Sequence, residues 1–170
     1  MKRKIMEKLR AWKSEKKRKP LILMGARQVG KTFVLKKFGK EEYENTVYIN
    51  FEDNPRVCKL FEASLEPETI LQSLTIEMDA EIVAGKTLLI FDEVQECPGA
   101  LNSLKYFCEN APEHHIVAAG SLLGVKLAHV EGFPVGKVQF LTLNLLDELG
   151  VGLLTIQRIK DILIACFGLG

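Results

Sequence analysis

Residues 25–32 constrain the fold of this chain most: they read Gly-Ala-Arg-Gln-Val-Gly-Lys-Thr, a complete G-x-x-x-x-G-K-[ST] phosphate-binding loop. The apolar run 21–24 before this loop predicts a buried strand, and residues 33–38 after it predict a helix with Gly39 as its C-cap. A glycine-rich loop between a strand and a helix is the setting in which this motif cradles phosphate. The motif therefore predicts an α/β fold that binds a nucleotide.

The residue types in the loop match the chemistry of phosphate binding. Gly25 and Gly30 allow backbone turns in which N–H groups face phosphate oxygens. Lys31 reaches the β- and γ-phosphates, the Thr32 hydroxyl can bind Mg²⁺, and the next helix adds the partial positive charge of its N-terminus. We therefore expect contacts to the nucleotide from Gly25, Ala26, Arg27, Gln28, Val29, Gly30, Lys31, Thr32 and Phe33.

Strand and helix patterns alternate along the rest of the chain. Further strands are predicted over residues 46–51, 87–91, 116–119 and 137–142. Helices are predicted over 67–78 and 100–109, and a turn at 53–55. The continuous apolar run 87–91 is typical of a central parallel strand that is covered on both faces. The alternation predicts a three-layer α/β fold with a parallel sheet.

Two adjacent acids follow the apolar run 87–91. Ligands in open α/β sheets bind beyond the carboxyl ends of the strands, so Asp92 is in the position of a Walker B aspartate that holds Mg²⁺, through water, opposite Thr32. Glu93 can polarise the attacking water as the general base for hydrolysis of the γ-phosphate. Small-molecule kinases with a phosphate-binding loop generally lack that glutamate, because they must exclude water.

A further polar residue, Ser121, ends the predicted strand 116–119 after Gly120. A polar side chain between the phosphate-loop strand and the Walker B strand can sense the γ-phosphate. The alternative for Ser121 is an N-cap of the following turn. Both interpretations stay open.

The first nineteen residues are strongly basic. They carry ten lysines and arginines against two acids, a net charge of +8 that leaves −7 for the rest of the chain. Such an arm can bind nucleic acid weakly and in a salt-sensitive way. The favoured alternative is an amphipathic helix that packs on the domain through Ile5, Leu9 and Trp12.

The sequence offers no sign of secretion or of a membrane partner. No stretch reads as a signal peptide or a spanning helix. The cysteines at 58, 97, 108 and 166 lack the spacing of a zinc site or a redox pair, so we expect reduced thiols and a cytoplasmic location. His114 and His115 are expected at a strand edge rather than as metal ligands.

Several segments, in the same order, resemble a large family of prokaryotic ATPases of the AAA superfamily, in which an N-terminal ATPase domain precedes a C-terminal domain of unknown function. These segments are PLILMGARQVGKT, VYINFEDNP, LLIFDEVQECPGALNSLKYF, AAGSLLGV and FPVGKV, and the resemblance covers about residues 5–143. It implies the strand order 5-1-4-3-2, with ATP as the nucleotide and Mg²⁺ beside it. It also implies Walker A at Gly25–Thr32, Walker B at Asp92 and Glu93, and the sensor segment at Gly120 and Ser121.

The chain departs from that family in two respects. After the fifth strand it continues into an apolar tail unlike the family's, so we divide it into a basic arm 1–19, a P-loop core 20–143 and an atypical tail 144–170 that resembles a truncated C-terminal region. The tail can still form an amphipathic helix. The arginines at 3, 10, 18, 27, 56 and 158 include no convincing arginine finger, and Lys137 occupies a spot where the family has a basic residue.

Three functions are compatible with these residues. The favoured one is a Mg²⁺-dependent ATPase in which Lys31 clamps phosphate and Glu93 orients water. The second is an ATP-binding switch, or a remnant that hydrolyses little. The third, a small P-loop kinase, is disfavoured by Glu93. Self-association is compatible with the family but fixed by no residue.

Overall fold

The computed structural model describes residues 3–26, 28–121 and 136–143. The strands are β1 Leu21–Gly25, β2 Asn45–Asn50, β3 Thr87–Asp92, β4 His115–Ser121 and β5 Gln139–Thr142. The helices are α1 Arg3–Ser14, α2 Lys31–Glu42, α3 Pro55–Ala63, α4 Pro67–Glu77 and α5 Pro98–Asn110. A short 3₁₀ turn, Val94–Glu96, follows β3.

The five strands form one parallel sheet in the order β2-β3-β4-β1-β5. This is the order 5-1-4-3-2 read from the other edge, so the expected fold class and topology are confirmed. β3 is buried along its whole length, as its continuous apolar run predicts. The register aligns Gly25 with Ser121 and Asn50 with Asp92, so the carboxyl ends of β1 to β4 lie along one edge of the sheet.

Two apolar layers cover the sheet. On one face α3, α4 and α5 pack against alternate strand residues such as Ile49, Phe91 and Ile116. On the other face α1 and α2 pack against the intervening residues, such as Leu23 and Ile90. The alternation of the two sets along each strand gives the three layers.

The basic N-terminal segment packs on the domain as an amphipathic helix. Ile5, Leu9 and Trp12 are buried, at 6%, 0% and 3% exposure, which confirms the favoured interpretation of this segment. Arg10 pairs with Glu42 at 2.6 Å and with Glu41 at 3.2 Å, across to the end of α2. One positive charge of the arm, that of Arg10, is therefore paired with acids of the same domain.

The prediction that Gly39 caps the first helix of the core is wrong. α2 continues through Gly39 to Glu42, and its C-cap is Tyr43. A Cβ at Gly39 would lie 2.4 Å from Thr46 Oγ1, so the glycine allows α2 to approach β2 closely. A glycine required for close packing and a glycine that ends a helix look alike in sequence.

The turn predicted at residues 53–55 lies slightly earlier, at residues 51–53, and a helix that was not predicted follows it. Pro55 begins α3, where a proline at the first helical position needs no N–H partner. Val57 and Phe61, one turn apart, are the buried residues of α3. This helix is short, and its apolar pattern was missed for that reason.

The expectation that all the cysteines are reduced thiols is also corrected. Cys58 of α3 and Cys97, at the start of α5, form a disulfide, with their Cα atoms 5.6 Å apart. Phe61 of α3 lies against Gly99 of α5, which brings the two helices together at this point. A separation of 39 residues along the chain hid the pair from any spacing argument.

No helix in the described ranges has the length and apolar character needed to cross a membrane.

Candidate nucleotide site

The phosphate-binding loop connects β1 to α2, and its two glycines serve different purposes. Gly30, the N-cap of α2, has φ 90°, a left-handed conformation that favours glycine. Gly25 is required for a close approach, because a Cβ there would lie 2.8 Å from the carbonyl oxygen of Leu143. Gln28, with φ 63°, takes the left-handed conformation without being glycine. Such backbone occurs often at binding sites, where its strain is tolerated.

Lys31 lies folded over the loop that precedes it. Its side chain is buried, at 5% exposure, and its Nζ donates to the carbonyl oxygens of Gly25 at 3.0 Å and Ala26 at 2.9 Å. A buried ammonium group needs such partners, because an uncompensated charge away from water is costly. The ammonium group is thereby held within the curve of the loop, where it is expected to meet phosphate.

Thr32 and Asp92, which are 60 residues apart in the chain, are in direct contact. The Thr32 hydroxyl donates to Asp92 Oδ2 at 2.6 Å. Asp92 ends the buried strand β3 and is 2% exposed, while Thr32 is in the first turn of α2. The two residues that were predicted to hold Mg²⁺ from opposite sides are therefore adjacent, as the topology requires.

Glu93 follows Asp92 in a left-handed backbone conformation, with φ 50°. Its N–H donates to Asp92 Oδ1 at 3.1 Å, and its Oε2 accepts a hydrogen bond from Gln95 Nε2. Gln95 Oε1 is buried and has no hydrogen-bond partner among the described residues. That oxygen would lie 3.2 Å from a Cβ at Gly120, so the Gln95 carboxamide lies between Glu93 and the end of β4.

Sequence reasoning missed Tyr48 and Gln95. Tyr48, on β2, donates from its hydroxyl to Asp92 Oδ2 at 2.9 Å. Burial, and then the hydrogen bond to Asp92, raises the pKa of the Tyr48 phenol, so it remains a donor at neutral pH. The available signals were weak: a polar hydroxyl in a strand that neighbours the Walker B strand, and a glutamine two residues after Glu93.

The other predicted residues differ in what can be said of them. Phe33 is 54% exposed, and Val29 is partly buried against the α2 face of the core. Arg27 lies outside the described residues. The backbone of Ser121 ends β4 opposite Gly25, but its side chain, like the whole tail 144–170, lies outside them.

Lys137, considered above as a substitute for a catalytic arginine, pairs with Glu109 at 2.9 Å. Arg18 donates to the carbonyl oxygens of Lys13 and Pro112, both at 3.1 Å. Among the described basic side chains, these two are therefore occupied elsewhere in the domain.

The donor set fits a hard divalent cation. A carboxylate and a hydroxyl oxygen meet at the mouth of the phosphate-binding loop, and oxygen ligands of this kind are those that Mg²⁺ prefers beside substrate phosphates. Mg²⁺ usually keeps several waters and takes one or two protein ligands. In the described part of the chain no group of three or more His, Cys, Asp or Glu side chains gathers as a metal centre.

Comparisons with known proteins give the same fold. A model of the AAA domain family matches residues 17–147. A Walker-type ATPase of Pyrococcus abyssi has a similar structure, with a TM-score of 0.56 and 17% identity over 85% of this chain and 53% of that one. The ORC1 protein of Aeropyrum pernix, solved in complex with DNA, matches with a TM-score of 0.53 and 17% identity over 85% and 44% of the two chains.

The chain thus spans about half the length of these two solved proteins. No curated protein sequence matches it. At 17% identity the structural likeness shows the fold alone.

Proposed function

Because the chain belongs to the AAA domain family, we propose that it binds ATP together with Mg²⁺ and hydrolyses the γ-phosphate. The observation that carries the proposal is the contact between Thr32 and Asp92 at the mouth of the loop that holds Lys31. Lys31 and the N–H groups at the start of α2 bind the phosphates. Thr32 and Asp92 hold Mg²⁺, which neutralises the charge on the phosphates.

The remaining loop residues contribute backbone and shape. Gly25, Ala26, Arg27, Gln28, Val29 and Gly30 wrap the phosphates, and Phe33 borders them from the exposed side of α2. Glu93 accepts a proton from the attacking water, and Ser121 senses the γ-phosphate from the end of β4. Glu93 directly follows Asp92, and its carboxylate accepts a hydrogen bond from Gln95.

Thermal unfolding with and without Mg·ATP tests nucleotide binding. A ligand that binds the folded state alone adds about 2.7 kcal/mol at a hundred times its Kd, so the wild type is expected to melt at a clearly higher temperature. Lys31→Ala is expected to lose this shift. Lys37→Ala is the matched control, because Lys37 lies on the same helix but pairs with Glu41 at the surface. A cooperatively melting wild type that shows no shift would contradict the proposal.

A second function, an ATP-binding switch with little hydrolysis, is favoured by one observation. The described basic residues Arg18 and Lys137 are held elsewhere in the domain, by Pro112 and Glu109 respectively. A missing arginine finger lowers the rate of related enzymes by about 10³–10⁵. Glu93→Gln separates the two functions: an ATPase loses about 100-fold or more of its turnover in this variant, whereas a switch hydrolyses no faster than the variant does.

The basic helix supports a smaller proposal, weak binding of nucleic acid. Lys4, Lys8, Lys16 and Lys17 are exposed on or just after α1. A few phosphate contacts of this kind give an affinity that falls steeply with salt. A gel retardation assay at rising salt checks this, and an absence of retention even at low salt would remove the idea.

A further inference from the structure

Tyr48 reaches the Walker B aspartate from the edge strand of the sheet. In the parallel register Tyr48 aligns with Ile90 of β3, and Asp92 is two residues further along on the same face. A long side chain can reach such a diagonal neighbour. The Tyr48 hydroxyl does so, donating to Asp92 Oδ2 at 2.9 Å on the face that α2 covers.

Three donors fix the Asp92 carboxylate. Thr32 and Tyr48 both donate to Oδ2, and the Glu93 N–H donates to Oδ1. Thr32 is itself an expected ligand of Mg²⁺, so its position has to suit the metal. Tyr48 has no place among the metal ligands or the phosphate-binding loop. Its hydrogen bond to Oδ2 is therefore available to hold the carboxylate in place.

The Tyr48 ring is held in turn by α2. Lys36 Nζ lies 3.6 Å from the centre of the ring, a cation–π contact. Lys36 is one helical turn after Thr32, so Thr32, Lys36, Tyr48 and Asp92 form a closed loop of contacts between α2, β2 and β3. This arrangement fixes the hydroxyl of Tyr48 against Oδ2.

We propose that Tyr48 is a positioning residue of the metal–nucleotide site, which orients the Asp92 carboxylate toward Mg²⁺. This inference rests on the proposed function, since it presumes that Asp92 serves a Mg·ATP complex. Removing a residue that hydrogen-bonds to a metal ligand typically lowers the affinity for the metal by about 10- to 100-fold. The effect should therefore appear in the magnesium-dependent part of ATP binding.

The test compares Tyr48→Phe with the wild type in the full chain. The substitution removes the hydroxyl but keeps the ring, and therefore the contact with Lys36. Tyr43→Phe is the matched control, because the Tyr43 hydroxyl also has a buried partner, His115 Nδ1, at the opposite end of α2. The Kd for ATP is measured by competition with a fluorescent ATP analogue, once with Mg²⁺ and once with EDTA.

In Tyr48→Phe the Kd with Mg²⁺ is expected to rise about 10- to 100-fold, while the Kd with EDTA stays within about twofold of the wild type. Tyr43→Phe is expected to match the wild type in both conditions. An unchanged or lower Kd with Mg²⁺ in Tyr48→Phe overturns the inference, and so does an equal loss with and without the metal. A wild type that fails to bind ATP in either condition refutes the proposed function instead.

Discussion

The two ends of α2 lie in two different polar clusters. At its start, the site cluster comprises Thr32, Tyr48, Asp92, Glu93 and Gln95. At its end, the aromatic cluster comprises Trp12, Tyr43 and His115. Asp92 in the first cluster, and Trp12 and His115 in the second, are buried, and the other members are partly buried. The two clusters differ in charge and in how well their polar atoms are satisfied.

The three side chains of the aromatic cluster are uncharged, and their polar atoms have hydrogen-bond partners. The Tyr43 hydroxyl lies 2.7 Å from His115 Nδ1, and the two rings meet edge to face at 5.3 Å. Trp12 packs against His115 at 6.1 Å and donates from its indole N–H to the carbonyl oxygen of Lys19 at 2.8 Å. Aromatic pairs with satisfied polar ends of this kind stabilise a core.

The site cluster is charged and incompletely satisfied. Asp92 and Glu93 bring two adjacent carboxylates, Glu93 has a left-handed backbone, and Gln95 Oε1 is a buried acceptor without a partner among the described residues. Each of these features costs stability. These features are concentrated at the carboxyl ends of the strands. This indicates that the cluster at the start of α2 serves binding, whereas the cluster at its end stabilises the fold.

The largest expected effect is on the aromatic cluster. Trp12→Ala removes a ring that is 3% exposed and should lower the free energy of unfolding by about 3–5 kcal/mol. Urea denaturation measures this loss. If the two clusters are independent, the folded variant should still bind Mg·ATP within about twofold of the wild type.

Trp12→Phe is a milder second variant, for the case in which Trp12→Ala is too unstable to assay. It keeps an aromatic ring against His115 but removes the indole N–H that donates to the carbonyl oxygen of Lys19, so the free energy of unfolding is expected to fall by a smaller amount, about 1–3 kcal/mol. A fall in ATP affinity comparable to that of Lys31→Ala in either variant would show that the clusters are coupled through α2.

The two clusters also differ in how far the sequence predicted them. The loop, Asp92 and Glu93 followed from a motif and from the regular alternation of strands and helices. The docking of Ile5, Leu9 and Trp12 followed from helical periodicity. In each case the signal is local in sequence, because the spacing of residues along one element sets what that element can bury or bind.

Contacts between distant segments were not predictable in this way. Tyr48 reaches Asp92 across the sheet, Tyr43 reaches His115 over 72 residues, and Cys58 reaches Cys97 through helix packing. The prediction for Gly39 was wrong because glycine is needed there for the close approach of Thr46, which is likewise a contact with another element. These contacts depend on register and helix placement, which only the assembled fold defines.

The next largest effect is a pH dependence at the aromatic cluster. Burial, followed by the nearby charges of Arg18 and Lys13, lowers the pKa of His115 from its ordinary 6.5 to about 4. The unfolded chain therefore takes up this proton first, and the free energy of unfolding should fall as the pH drops from about 6.5 to about 4. The loss from this group is about 3 kcal/mol at most, and it is complete below the folded pKa.

The measurement is urea denaturation between pH 7 and pH 4, with His115→Asn as the comparison. That variant is less stable at pH 7 but lacks the titrating ring, so its stability should fall less steeply over the same range. Carboxylates that titrate in both proteins cancel in the difference. Parallel pH curves for the two proteins would mean that His115 titrates as an exposed histidine does.

The smallest expected effect belongs to the site cluster, where one substitution should lower kcat without lowering the free energy of unfolding. Gln95→Met keeps the length of the side chain but removes both the donor to Glu93 Oε2 and the unpartnered Oε1. Loss of the donor leaves Glu93 less well placed, so kcat for ATP hydrolysis should fall about tenfold, or about 1.4 kcal/mol, with KM little changed. Loss of a buried, unsatisfied acceptor should leave the free energy of unfolding unchanged or raise it by up to about 1 kcal/mol.

Steady-state hydrolysis and urea denaturation on the same sample check both halves, and Gln72→Met, on the exposed surface of α4, controls for the introduced methionine. A substitution that lowers turnover without lowering stability is what separates the site cluster from the aromatic cluster, where every removed contact should cost stability. If Gln95→Met instead destabilises the protein and leaves kcat unchanged, Gln95 supports the fold. The site cluster would then end at Glu93, without Gln95.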